Sequence, residues 1–329
     1  MSTSDFRLPT FDFGIAVAAA LTLFSTLAAA QSYPTRPIRV VVPFTPGTGM
    51  DIIARTVGPR LSERVGQPVV IDNRPGASGN LGAELVAKAA PDGYTMMVSG
   101  NPLVTSPHLY GNVPYKPLTD FAPISLAAWG TLILVTHPGA KIGSLSELIK
   151  RAKASPGRIH YGSPGIGTPH HMSMELLKDR TGADLTHVPY KGSAGAVNDV
   201  LGGQITTMFI PIHVGLQFVK SGRLRALAVG SGKRHASAPE LPTLKELGVK
   251  GAEVDMWYGF LAPRGTPRAI VGKLDDELRA ILDGADLKAA FSAQGMQAAS
   301  STPAEFAALM KREDARWGEI IRKNNIRAE

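Results

Sequence analysis

An apolar run, Ile38-Arg39-Val40-Val41-Val42, stops at Pro43-Phe44-Thr45-Pro46-Gly47-Thr48-Gly49-Met50-Asp51, and Ile52, Ile53, Val57, Leu61 and Val65 then follow at helical spacing. A strand that turns through Pro and Gly directly into a helix demands a sheet on whose face the helix can pack back. It also leaves the peptide N–H groups of Gly47 to Asp51 at the first helical turn, beyond the carboxyl end of the strand. Such N–H groups attract anions. The device recurs at once: Val69-Val70-Ile71-Asp72 leads through Asn73–Asn80 into a helix marked by Leu81, Leu85, Val86 and Ala89, and Tyr94–Ser99 is a third strand. Strand and helix in alternation predict right-handed crossovers and a parallel sheet. Ligands of such sheets lie at the loops beyond the strands' carboxyl ends, here Thr45–Asp51, Asn73–Asn80 and Ser99–Ser106.

Residues 102–123 hold five prolines, Pro102, Pro107, Pro114, Pro117 and Pro123, and read as a long surface connection. Ile124–Ala128 and Thr131–Thr136 are rich in β-formers and carry the chain into a second unit. Ser144-Leu145-Ser146-Glu147 is a capping box that opens a helix, and Ser155-Pro156-Gly157 ends it. The opening device then returns. Ile159–Gly162 is a strand, Ser163-Pro164-Gly165-Ile166-Gly167-Thr168 a Gly-rich loop, and Pro169 the first residue of a helix with Thr168 as its N-cap. A third version runs from Leu185–Val188 through Pro189-Tyr190-Lys191-Gly192-Ser193 into a helix from Ala194.

The alternation continues with an Ile205–Phe209 strand, a Val214–Lys220 helix and a Leu224–Val229 strand. Pro239–Gly251 is a loop with one helical turn, and Met256–Ala262 an aromatic-rich strand that returns to the first unit. Thr266-Pro267 starts one helix. Thr302-Pro303-Ala304-Glu305 caps the last, whose Phe306, Met310, Trp317 and Ile321 form one apolar face that docks on the first unit. Two crossings between two α/β units make a clamshell hinged at Ile124–Thr136 and Met256–Ala262. Residues 31–125 plus 257–329 form one domain and residues 126–256 the other.

At the N-terminus, Ile15–Leu27 is apolar but too short to span a bilayer, follows Arg7 and ends in Ala28-Ala29-Ala30. This predicts a signal peptide over residues 1–30 and export as a chain beginning near Gln31 or Ser32. The absence of cysteine excludes disulfides, thiol catalysis and thiolate metal sites. The formal charge of +8 favours anionic partners, but Lys and Arg are scattered and form no aromatic-interleaved basic run, which argues against nucleic acid.

Enzyme signatures are missing too. Ile52 stands where a dinucleotide fingerprint starting at Gly47 needs its third glycine, and Tyr161 occupies the first glycine position of a nucleophile elbow at Ser163. His170 and His171 with Glu175 invite a metal, but adjacent histidines point to different sides of a helix and no third ligand is spaced to join them. No cofactor is expected.

Several segments together resemble one family: Tyr33-Pro34-Thr35-Arg36-Pro37-Ile38, Pro43–Gly47 with Asp51, Gly66-Gln67-Pro68-Val69-Val70, Asn73-Arg74-Pro75-Gly76-Ala77, Ala90-Pro91-Asp92-Gly93-Tyr94, Tyr161-Gly162-Ser163 through Gly167-Thr168 to His171, Val188-Pro189-Tyr190-Lys191-Gly192 and Leu224–Val229. They look like the Bug-type solute receptors of tripartite tricarboxylate transporters. The resemblance runs from Tyr33 to the last helix. It implies a two-lobed periplasmic-binding-protein (Venus flytrap) α/β fold, with two parallel-sheet domains joined by two crossing strands. It also implies a monomeric, non-enzymatic periplasmic receptor that binds a carboxylate mainly through backbone amides and water and delivers it to a membrane permease. A sensory ligand binder serving a membrane signalling partner is the alternative.

Two departures stand out. Gly47-Thr48-Gly49 puts a hydroxyl where the family usually has bare glycine, and Ile210 follows Met208-Phe209 where the family often has an acid. The second argues against an amino-acid ligand and for a less polar acid. The candidate ligand contacts are Phe44, Thr45, Gly47, Thr48, Gly49, Asp51, Ala77 and Ser99 from the first unit. Ser163, Gly165, Thr168, His171, Tyr190 and Lys191 come from the second. Gly47, Thr48 and Gly49 offer N–H groups, with the Thr48 hydroxyl as a further donor. Ser163 and Thr168 offer hydroxyls, Thr168 also as an N-cap. Asp51 suits the helix dipole, His171 fastens its loop, and Lys191 acts as a long-range cation. Trp257 and Tyr258 read as core, with Tyr258 also placed where the crossing meets the cleft.

Overall fold

In the computed structural model, which describes residues 33–328, the chain from Arg36 onward forms one unit. The expected signal peptide, residues 1–30, lies outside the described residues. Short runs of β-branched residues bounded by Pro and Gly become strands because their side chains pack well on a pleated surface. The first, β1 (Ile38–Val42), leads into α1 (Gly49–Val65), β2 (Val69–Asn73), α2 (Asn80–Ala87) and β3 (Thr95–Gly100). β1 pairs in parallel with both β2 and β3.

A further helix, α3 (Pro102–Leu109), stands where proline density predicts a surface connection. Pro102 occupies the first helical position, where its missing N–H is no loss, and Pro107 removes one bond near the end. Burial outweighs that cost. Leu103, Val104, Thr105 and Ser106 are all buried, and the helix packs under the C-terminal helix.

β4 (Phe121–Gly130) belongs to the first sheet and β5 (Leu132–Thr136) to the second, so the chain changes sheets at Thr131. The second lobe follows as α4 (Leu145–Ala154), β6 (Ile159–Ser163), α5 (Pro169–Thr181), β7 (Leu185–Pro189), α6 (Ser193–Leu201), β8 (Thr207–Pro211), α7 (Ile212–Lys220) and β9 (Arg225–Val229). Residues 230–255 are turns and extended chain. Within Pro239–Gly251 the expected single helical turn forms, with the Leu247 N–H donating to the Thr243 carbonyl at 3.2 Å, and Val229 bridges Thr243. The chain then re-enters the first sheet as β10 (Met256–Pro263) and continues through α8 (Arg268–Leu282), α9 (Ala285–Ala293), β11 (Met296–Ala298) and α10 (Pro303–Lys323).

The sheets run in the orders β11-β4-β10-β3-β1-β2 and β7-β6-β8-β5-β9. Both are mixed, not parallel as the alternation predicts. β10 lies antiparallel between β3 and β4, and β5 antiparallel between β8 and β9. The reason is the crossing itself. Strands β1, β3, β6 and β8 end at the seam between the lobes, whereas a strand arriving from the other lobe begins there and must run away from it.

Capping follows the sequence in one helix and bends it in another. The Thr302 hydroxyl and the Glu305 carboxylate form the full reciprocal box at α10. At α4, Ser144 accepts from the Glu147 N–H, but Glu147 Oε2 accepts from Gly143, one residue early. Phe306, Met310, Trp317 and Ile321 of α10 are buried against α3 and β4, with Phe306 edge-on to Trp257 at 5.5 Å. No helix among the described residues is long and apolar enough to cross a membrane.

Candidate functional site

A cavity of ≈ 60 Å³ lies at the seam, space for a few water-sized groups at about 10–15 Å³ each. Five helices begin on its wall: α1 with Thr48 and Gly49, α3 with Asn101 and Pro102, α5 with Thr168 to His170, α6 with Ser193, and α7 with Pro211 and His213. Phe44, Met50, Pro164, Val197, Val214, Met256 and Tyr258 fill the gaps. None of the lining residues is Asp, Glu, Lys or Arg. Each helix start carries a partial positive charge of about half a unit, so the wall favours an anion without offering a charged side chain.

The first-lobe loop is fixed by a carboxylate. Gly47 takes φ +83°, a left-handed conformation, and its N–H donates to Asp51 Oδ2 at 2.9 Å. Asp51, 3% exposed, also accepts from Arg55 Nε and Asn73 Nδ2, both at 2.9 Å. Burial alone raises the Asp51 carboxyl, but the bonds from Gly47, Arg55 and Asn73 outweigh it and hold it below the usual carboxylate range. The Thr48 hydroxyl donates to the Thr45 carbonyl at 3.1 Å. The Gly47 N–H and the Thr48 hydroxyl, expected as ligand donors, are thus engaged within the loop. The first-turn N–H groups of Gly49 and Met50 have no partner within the helix. Gly49 lets α1 start this close to β10, because a Cβ there would lie 2.5 Å from the Tyr258 hydroxyl.

Neutral groups fix the second-lobe loop. Ser163 Oγ, fully buried, lies 2.7 Å from His187 Nε2 and 3.0 Å from the Gly165 carbonyl. The Thr168 hydroxyl donates to the same carbonyl at 2.7 Å and makes no capping bond, so neither hydroxyl points a free hydrogen at a ligand as expected. His171 Nδ1 accepts from the Gly167 N–H at 3.1 Å, which fastens the loop. His171 stacks on His187 at 4.2 Å, and His187 on Tyr161 at 4.7 Å. Burial first, then the Lys178 charge, lowers His171 to about 3. His187 is lowered to about 3 by burial and by His171 beside it. The lobes touch through Thr105, whose buried hydroxyl donates to the Gly167 carbonyl at 2.7 Å.

His170 differs from its neighbour. It lines the cavity, is 8% exposed, and neither ring nitrogen has a hydrogen-bond partner. Burial lowers its pKa to about 3, so the ring is neutral.

The predicted residues separate into three places. Phe44, Gly47, Thr48, Gly49 and Thr168 line the cavity. Thr45, Ala77, Gly165, Tyr190 and Lys191 line a wider groove of ≈ 570 Å³, with Phe44 and Pro164 common to the two. Tyr190 donates there to Asp199 Oδ2. Asp51, Ser99, Ser163 and His171 line neither space; Ser99 is buried within β3.

Asn101, His170, His213 and Met256 on the cavity wall were not among the predicted contacts. Asn101 ties α3 to the returning chain, accepting from Trp257 N–H at 3.1 Å and donating to the Asp255 carbonyl at 3.3 Å. Asn101-Pro102 carried a legible signal, a capping residue before a proline at a helix start. His213 carried none.

The family model described as tripartite tricarboxylate transporter family receptor (TctC) matches residues 53–326. The chain is similar to protein BugT of Bordetella pertussis, 37% identical over 300 residues that cover 91% of this chain and 92% of that one. It is similar in structure to the periplasmic binding protein BugD, with TM-score 0.84, 34% identity and coverage of 90% and 100%. It is also similar to Rpa4515 of R. palustris, solved with adipate, with TM-score 0.85, 35% identity and coverage of 89% and 98%. The chain therefore belongs to the tripartite tricarboxylate transporter receptor family, whose members are periplasmic solute-binding proteins and not enzymes.

Proposed function

We propose that this chain captures a small carboxylate in the cavity between its lobes, in the periplasm, and delivers it to the membrane permease of a tripartite transporter. Residues 1–30 direct export. Residues 31–125 with 257–329 form one lobe, residues 126–256 the other, and the protein works as a monomer. The observation that carries this reading is the convergence of five helix starts from both lobes on one cavity free of charged side chains. Partial charges from oriented amides favour an anion and require no fixed countercharge, which suits reversible capture. The adipate held by the 35% identical Rpa4515 supports the same class of ligand. Closure brings Thr105 onto the Gly167 carbonyl, and ligand binding selects the closed population that the permease recognises.

A thermal-shift screen of the mature chain against mono-, di- and tricarboxylates, neutral solutes and cations tests this. A carboxylate at a hundred times its Kd adds about 2.7 kcal/mol of stability. Gly49→Val, which drives a side chain into Tyr258 at the mouth of α1, abolishes the shift. A response to neutral or cationic solutes and to no acid overturns the proposal.

A further inference from the structure

Deepening that reading, and resting on it, we infer that the ligand is a monocarboxylate with an apolar body, and that His170 selects it by hydrogen-bonding an uncharged polar group at its far end. The helix starts around the cavity are not equal. α1 opens with Thr48-Gly49-Met50 and keeps its N–H groups. α3 and α5 each open on a proline, Pro102 and Pro169, and α7 follows Pro211. Proline has no N–H to offer. α6, which opens on Ser193, also keeps its N–H groups, so the carboxylate belongs at the α1 and α6 starts, and the proline-fronted starts of α3, α5 and α7 are poorer in donors.

That proline-fronted part of the wall is also largely apolar. Pro164, Pro169, Val197, Pro211 and Val214 supply it, and its two imidazoles, His170 and His213, are kept neutral by burial. A second carboxylate placed there would give up its water and meet fewer free amides than the α1 and α6 starts offer the first, a penalty. His170 has the opposite problem. Both of its nitrogens are buried without a partner, and a buried polar group left unmatched is itself costly. A neutral imidazole presents one donor and one acceptor, which a hydroxyl or a carboxamide satisfies and a plain alkyl chain does not.

The test is a set of calorimetric titrations in three matched series: butyrate, 4-hydroxybutyrate and succinate; hexanoate, 6-hydroxyhexanoate and adipate; benzoate, 4-hydroxybenzoate and terephthalate. In whichever series binds, the hydroxy acid is expected to bind about tenfold more tightly than the plain acid, and the dicarboxylate more weakly than either. His170→Phe should erase the preference for the hydroxyl, and His170→Gln should keep part of it, each with a native circular dichroism spectrum. The ranking in the unaltered protein decides the matter even if a variant fails to fold. Tighter binding of the dicarboxylate overturns this inference and leaves the receptor reading intact. Binding of no carboxylate overturns both. A hydroxyl preference that survives His170→Phe removes His170 from the selection.

Discussion

Each lobe turns a strand into a helix through a Pro/Gly loop, yet the two loops are held by different chemistry. In the first lobe a carboxylate gathers the loop: Asp51 accepts from Gly47, Arg55 and Asn73, and Arg55 is itself half in water. In the second lobe the holders are neutral and dry: Ser163 against His187, Thr168 against Gly165, His171 against Gly167. The same sequence device does not imply the same fastening. It follows that acid attacks the two loops in different windows, with opposite chemistry at the titrating group.

The largest expected effect separates them by pH. His170, His171 and His187 are neutral in the fold, each lowered from 6.5 to about 3. Below about 6.5 the unfolded chain takes up protons that the folded chain refuses, so their contribution is whole above that pH and falls as pH drops towards about 3. Between pH 6.5 and 5 the loss is on the order of 2 kcal/mol for each imidazole. Asp51 behaves otherwise: its folded pKa lies below 3.8, so its contribution is whole above that value and is lost only as pH falls further. Urea unfolding at pH 7, 5 and 3 measures both. A flat profile from pH 7 to 5 would break the contrast.

Next in size is Asp51→Ala, expected to cost about 2–3 kcal/mol at pH 7, since it takes the buried charge away from the Gly47 N–H and the Asn73 amide that were bonded to it. It should leave the loss between pH 7 and 5 unchanged, which a urea series on the variant checks. Ser163→Ala should cost about 1–2 kcal/mol by leaving the His187 nitrogen without its partner. That variant should also alter the pH 7 to 5 slope, which Asp51→Ala does not.

The smallest effect probes the join between the loops. Thr105→Val keeps the shape and removes the hydroxyl that reaches the Gly167 carbonyl. It should weaken ligand binding by about 1 kcal/mol, roughly fivefold in Kd, without touching the cavity wall. Unchanged affinity would mean that this bond is not part of the closed state's advantage.

Much of the fold was legible, and the reason shows in what was missed. β1, α1, β6 and α5 were readable from apolar runs, turn residues and a proline at a helix start. α3 was not, because its two prolines are overruled by burial under α10, a partner some two hundred residues away in the chain. The mixed sheets were missed for a related reason: strand direction in β5 and β10 depends on where the chain crosses between lobes, not on their own composition.

For the site, the local pattern identified the loops that supply the cavity, and their exposed backbone amides follow from helix geometry alone. What only the tertiary structure decided is which polar atoms are already taken. Asp51 meets Asn73, Ser163 meets His187, and Thr105 meets Gly167, each across a stretch of chain no local rule can bridge. The same folding leaves His170 beside the cavity with both nitrogens unpartnered while its neighbour His171 is bonded. The sequence by itself determined where helices start, because a helix start depends on a few consecutive residues. Which donors remain for a ligand depends on every segment that packs nearby, and only the assembled lobes settle that.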